Sequence, residues 1–111
     1  MKLNLTKPLV IFDLETTGLD LVKDRIIQIS YIKVCPNGEE IRGNEIINPE
    51  IPIPPFITQL TGISNEDVKG KPTFKQIASH LNQLFIGCDF GGYNSNHFDI
   101  PLLAEEFLRA G

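Results

Sequence analysis

One short segment constrains this chain more than any other: residues 8–14 read Pro-Leu-Val-Ile-Phe-Asp-Leu. A nearly continuous apolar run of this length predicts a strand buried on both faces. It ends in carboxylates, Asp13 and then Glu15. Residues two apart on a strand point the same way, so these two acids share a face at the strand's end. Two carboxylates that close repel, and burying an uncompensated charge is costly.

Hard divalent cations with oxygen ligands are the natural compensation, and Mg²⁺ or Mn²⁺ fits best. A bare Asp-x-Glu pair is also common at solvated strand ends. The residues that follow, Thr16-Thr17-Gly18-Leu19, add to the pattern. Gly18 permits close approach of the backbone, and two threonines offer hydroxyl and N–H donors to a phosphate or sugar.

The remainder supplies a scaffold for that strand. Residues 25–34, rich in Ile, Tyr and Val, predict a second strand. Pro36-Asn37-Gly38 is a turn, and a third strand returns around Ile41 to Ile47, forming a hairpin with the second. A proline-rich connection follows, and Pro55 opens a short helix that Gly62 closes. Ser64 caps one further turn. Thr73 and Gln76 make a capping box for a longer helix, with Phe74, Ile77, Ala78, Leu81, Leu84 and Phe85 on one face. Residues 88–93 predict a fourth strand, and residues 99–110 a last helix with Pro101 in its first turn. The order β-β-β-α-β-α implies an α/β chain with a mixed sheet flanked by helices, its polar site at the strand ends.

At 111 residues with 41% hydrophobic content, the chain is one domain with a modest core. Its formal charge of −4, with scattered Lys and Arg, excludes a basic sheath gripping nucleic acid along its length. An enzyme that handles one end of a strand is compatible, because bound cations can supply the opposing charge. Cys35 and Cys88 lie far apart without metal-ligand spacing and read as reduced thiols. The first residues carry neither a signal peptide nor a membrane-spanning pattern, so a cytoplasmic address is expected.

A second polar segment runs Gly92-Tyr93-Asn94-Ser95-Asn96-His97-Phe98-Asp99-Ile100-Pro101-Leu102-Leu103. Asp99 reads as a helix N-cap that can lie beside the first strand's end, joining Asp13 and Glu15 as a third carboxylate. Here the sequence resembles the DEDD exonucleases, whose members include polymerase proofreading subunits and ribonuclease T. Residues 13–18 are similar to their first motif and residues 94–99 to their second. Leu60-Thr61-Gly62-Ile63 resembles their loop beside the terminal base, although many members have histidine where this chain has Thr61.

The resemblance implies a ribonuclease-H-like fold and removal of nucleotides from a 3′ end. It assigns Asp13, Glu15 and Asp99 to two Mg²⁺ or Mn²⁺ ions about 3.5–4 Å apart. It assigns Thr16, Thr17, Gly18, Leu19, Leu60, Thr61, Ile63 and Asn94 to the terminal nucleotide, with Leu19 and Ile63 packing on the last base without reading it. The implied partner is a single-stranded or frayed 3′ end of DNA, with RNA as the alternative; a homodimer and association with a polymerase both stay open. The family also needs a fourth acid and a His or Tyr general base, and neither His80 nor His97 matches that third motif. The fold's fifth strand is absent as well, so the expectation is a single exonuclease domain over residues 1–111, truncated at its C-terminus, with a natural short form that binds but turns over little as the alternative. Competing readings are a non-catalytic binding module and a metal-dependent hydrolase of free nucleotides.

Overall fold

The computed structural model describes residues 5–92 and 99–111. Four strands form one mixed sheet: β1 (Leu9–Thr16), β2 (Ile26–Val34), β3 (Glu40–Ile46) and β4 (Asp89–Gly92). Their order is β3-β2-β1-β4. β1 pairs antiparallel with β2 and β2 antiparallel with β3, while β4 returns parallel to β1. Between β3 and β4 the chain forms α1 (Pro55–Thr61), α2 (Asn65–Val68) and α3 (Phe74–Phe85); α4 (Asp99–Ala110) follows β4.

Local chemistry sets most of these boundaries. Pro55 occupies the first turn of α1, and Gly62 stops it in a left-handed conformation, φ 77°, with its N–H on the Thr58 carbonyl. Ser64 and Asp67 exchange reciprocal cap bonds around α2, and Thr73 and Gln76 do so at the start of α3.

Amphipathicity then decides the packing. Val10, Phe12 and Leu14 of β1 and Ile29 and Tyr31 of β2 turn toward α3 and α4, where they meet Phe74, Leu81, Phe85, Leu102 and Leu103. Edge-to-face ring pairs run through this core, with Phe85 against Tyr31 at 5.4 Å and Phe74 against Phe107 at 5.1 Å between centroids. Tyr31 also lies across Gly43 of β3, where any side chain would collide with its ring. A smaller cluster of Ile27, Ile53, Ile57, Ile63 and Val68 seats α1 and α2.

β1 differs from its expected burial on both faces. Its buried residues alternate, and Asp13 on the opposite face is exposed. The reason lies in the layers: α3 and α4 cover one face, whereas on the other the β1 acids lie beside the polar side chains of Gln28, Ser30 and Asn44 on the neighbouring strands. Gln28 and Ser30 both donate to the Asn44 side-chain oxygen, at 2.9 and 3.2 Å. Among the described residues, no helix is long and apolar enough to cross a membrane.

Candidate active site

Asp13 and Glu15 occupy the open face of β1, directly opposite Ser30 and Gln28 of β2. Just past Glu15 the ladder slips, so that Thr16 pairs with Ile26. A bulge of this kind bends a strand and ends regular pairing. It also accompanies a split of the two neighbouring isoleucines, Ile26 entering the main core and Ile27 the smaller cluster.

The two acids stand between two depressions. Asp13 lines a shallow one over the sheet, with Ser30, Ile32 and Arg42. Glu15 lines a groove of about 540 Å³ between the loop after β1 and α1. Burial pushes the Glu15 carboxyl above the usual glutamate range, and the neighbouring Asp13 charge pushes it the same way. Neither acid has a salt-bridge partner among the described residues; the Arg42 guanidinium is held by Glu40 at 2.8 Å.

The groove gathers much of the expected nucleotide site. Glu15, Thr16, Gly18 and Leu19 line one side, and Leu60 and Thr61 the other. Leu19 and Leu60 are strongly exposed apolar side chains, at 83% and 77%. The Thr16 hydroxyl donates to the Gly18 carbonyl at 2.6 Å, and Thr61 donates to the Ile57 carbonyl at 2.8 Å.

Thr17 and Ile63 lie elsewhere. Ile63 is buried in the small cluster beneath α1. Thr17 is buried, and its donors are already used: the N–H binds the Arg25 carbonyl and the hydroxyl donates to Asp24 at 2.7 Å. These two residues support the groove from behind rather than lining it. Gly18 is required by the same arrangement, because a Cβ there would stand 2.5 Å from the Asp24 carboxylate.

α4 pins this loop from the other side. Glu106, 1% exposed, accepts from Arg25 Nε at 2.7 Å, from the Ile26 N–H at 3.2 Å and from Arg109 at 3.1 Å. Arg109 in turn donates to the carbonyls of Leu21, Val22 and Asp24. Asp20 completes the loop, its carboxyl lowered by the Val22 N–H first and the Lys23 N–H second. Sequence reasoning missed Glu106 and the groove residue Phe56. A glutamate and an arginine three apart on a helix were a signal for an ion pair but not for its burial.

The second motif is only partly visible. β4 ends with Gly92 beside Phe12, one residue before Asp13, and α4 begins at Asp99. Asn94 and His97 lie outside the described residues, as does the Asp99 side chain. Among the described residues, no three His, Cys, Asp or Glu side chains cluster as a metal cage, so the visible donor set is the Asp13–Glu15 pair. That pair fits a hard divalent cation: its ligands are carboxylate oxygens, they crowd each other, and no salt bridge among the described residues relieves them. His80 is exposed on α3, which packs against the opposite face of the sheet from the pair.

Comparison with known proteins agrees with this architecture. The RNase T family model, described as exonuclease, matches residues 10–111. The chain is 42% identical over 104 residues to the 3′-5′ exonuclease DinG of Bacillus subtilis, covering 92% of this chain and 11% of that protein. It is 33% identical over 102 residues to a DNA polymerase III PolC-type of Caldanaerobacter subterraneus, covering 92% and 7%. The chain thus spans about a tenth of the length of these relatives. Among solved structures, product-bound exonuclease I superposes with a TM-score of 0.82 at 22% identity, over 96% of this chain and 26% of that one. E. coli exonuclease I in complex with a dT13 oligonucleotide gives 0.81 at 22% identity, over 95% and 24%.

Proposed function

The chain belongs to the RNase T exonuclease family, and from that premise we propose that it carries catalytic carboxylates of a 3′–5′ exonuclease acting on DNA. The reaction is hydrolysis of the terminal phosphodiester bond, releasing nucleoside 5′-monophosphates. One observation carries the reading: Asp13 and Glu15 share a strand face without a salt-bridge partner among the described residues, and Glu15 lines a groove walled by exposed apolar side chains.

When bound at Asp13, Glu15 and Asp99, two Mg²⁺ or Mn²⁺ ions supply an activated water and stabilise charge on the phosphoryl group. The chain's own residues do the rest. Glu15 serves as a ligand in its charged form, which burial and the neighbouring Asp13 charge disfavour and a bound cation would favour. Leu19 and Leu60 grip the terminal base through apolar contact, which does not depend on base identity. Gly18 keeps the loop backbone close, and Thr16 holds that backbone in shape through its bond to the Gly18 carbonyl. Thr17, Asp24, Arg25, Glu106 and Arg109 hold the loop in position. Asn94, on the connection into α4, is proposed as a further contact to the terminal nucleotide.

DNA is preferred as substrate because the relatives include a DNA polymerase III and an exonuclease I with a bound deoxyoligonucleotide. The test uses the full-length protein with 5′-labelled single strands of matched DNA and RNA in Mg²⁺. Stepwise shortening of the DNA is expected, and Asp13→Ala should reduce it at least about 10²- to 10³-fold, the scale of losing one transition-state charge stabiliser. Unchanged shortening by the variant would sink the assignment; preferential shortening of RNA would replace the substrate.

A further inference from the structure

The groove has one wall component that the motifs do not explain. Phe56 precedes Leu60 by four residues on α1, so the two share a helical face, and both line the groove opposite Leu19. The next residue, Ile57, is buried in the small core cluster, whereas Phe56 belongs to neither cluster and is 58% exposed. Its ring does little for the packing of α1. A large apolar ring left in water at the rim of a strand-binding groove has a ready use, because every nucleobase offers a flat face to stack on. One helical turn, about 5.4 Å, separates it from the Leu60 level. With the terminal base gripped at the Leu60 level, as proposed above, that distance would reach the neighbouring base. A base inside a duplex has both faces covered by stacking, so only an unpaired neighbour can present a face to the ring.

We propose that Phe56 is a specificity-determining residue: it stacks on an unpaired base next to the 3′ terminus, extending the apolar grip of Leu19 and Leu60 and favouring single-stranded over paired ends. The proposal rests on the exonuclease reading above. Its substrate is a single strand with at least two unpaired nucleotides at the 3′ end.

The experiment compares wild-type, Phe56→Ala and Phe56→Trp full-length proteins on a single-stranded DNA oligonucleotide and on the matching blunt duplex, measuring KM and kcat for each. Phe56→Ala should raise KM for the single strand about 5- to 150-fold, the range for loss of one base–aromatic stack. The duplex KM should stay within about twofold, and Phe56→Trp should restore the single-strand value. Loss on both substrates alike, or an unchanged single-strand KM, would overturn the proposal while leaving the exonuclease reading intact. If the wild-type protein shortens neither substrate, the exonuclease reading fails and this proposal falls with it.

Discussion

Glu106 and Glu15 are the same side chain in opposite circumstances. Glu106 is almost wholly buried, yet two guanidinium groups and a backbone N–H satisfy it. Glu15 is less buried, yet the charge that acts on it among the described residues is another acid, Asp13, and its carboxyl is pushed upward. Depth alone therefore does not set how strained a carboxylate is in this fold; compensation does. A buried acid whose partners come from the chain ties elements together, here α4 to the loop after β1. An acid pair without such partners leaves room for a cation from solution.

The sharpest way to break this contrast is to remove each acid in turn. Glu106→Ala should destabilise the protein by about 3–5 kcal/mol, because Arg25 and Arg109 lose their anion in a partly buried setting. Glu15→Gln and Asp13→Asn, by contrast, should leave stability unchanged or slightly raised in the absence of divalent ions. Urea unfolding of the three variants checks this. Equal losses would show that the β1 acids are structural as well.

A smaller effect tests whether the loop's rear support is separate from its front. Thr17→Val removes a buried hydroxyl that donates to Asp24 and accepts from the Arg25 N–H. The expected cost is about 1–3 kcal/mol for leaving buried polar groups unpaired. A stability loss in that range, read by thermal unfolding, distinguishes this support role from direct contact with substrate. A Thr17→Val protein as stable as wild type but defective in substrate binding would return Thr17 to the groove.

The smallest effect is a pH dependence. Glu15 has a folded-state pKa above its unfolded value. The stability linked to it is fully present below the unfolded pKa and is lost as pH rises through the folded one. Because the group is only partly buried, screening keeps this below about 1 kcal/mol. Unfolding free energies of metal-free protein across the carboxylate range should therefore fall slightly more for wild type than for Glu15→Gln as pH rises. Parallel profiles for the two proteins would show that Glu15 is not under strain.

Much of the frame was legible because it is written locally. The capping boxes at Ser64 and Thr73, the stop at Gly62 and the hairpin turn at Pro36-Asn37-Gly38 each depend on residues within one turn of one another. Asp13 and Glu15 were legible as a pair because strand alternation alone puts them on one face. What could not be read depends on distant parts of the chain. Glu106 meets Arg25 across 81 residues of sequence, and nothing in its own helix announces that partner. Ile63 and Thr17 sit in a motif that touches the groove, but the bulge after Glu15 and the small cluster beneath α1 turn both inward. Phe56 joins the groove only because α1 and the loop carrying Leu19 meet there, which no local pattern in α1 encodes.

The central claim is that the Asp13–Glu15 pair is completed by a divalent cation rather than by the protein. Titrating Mn²⁺ into the metal-free protein and following bound ion by electron paramagnetic resonance tests it directly. Wild type should bind Mn²⁺, Glu106→Gln should bind it if folded, and Asp13→Asn combined with Glu15→Gln should lose the site. Undiminished Mn²⁺ binding by the double variant would contradict the account.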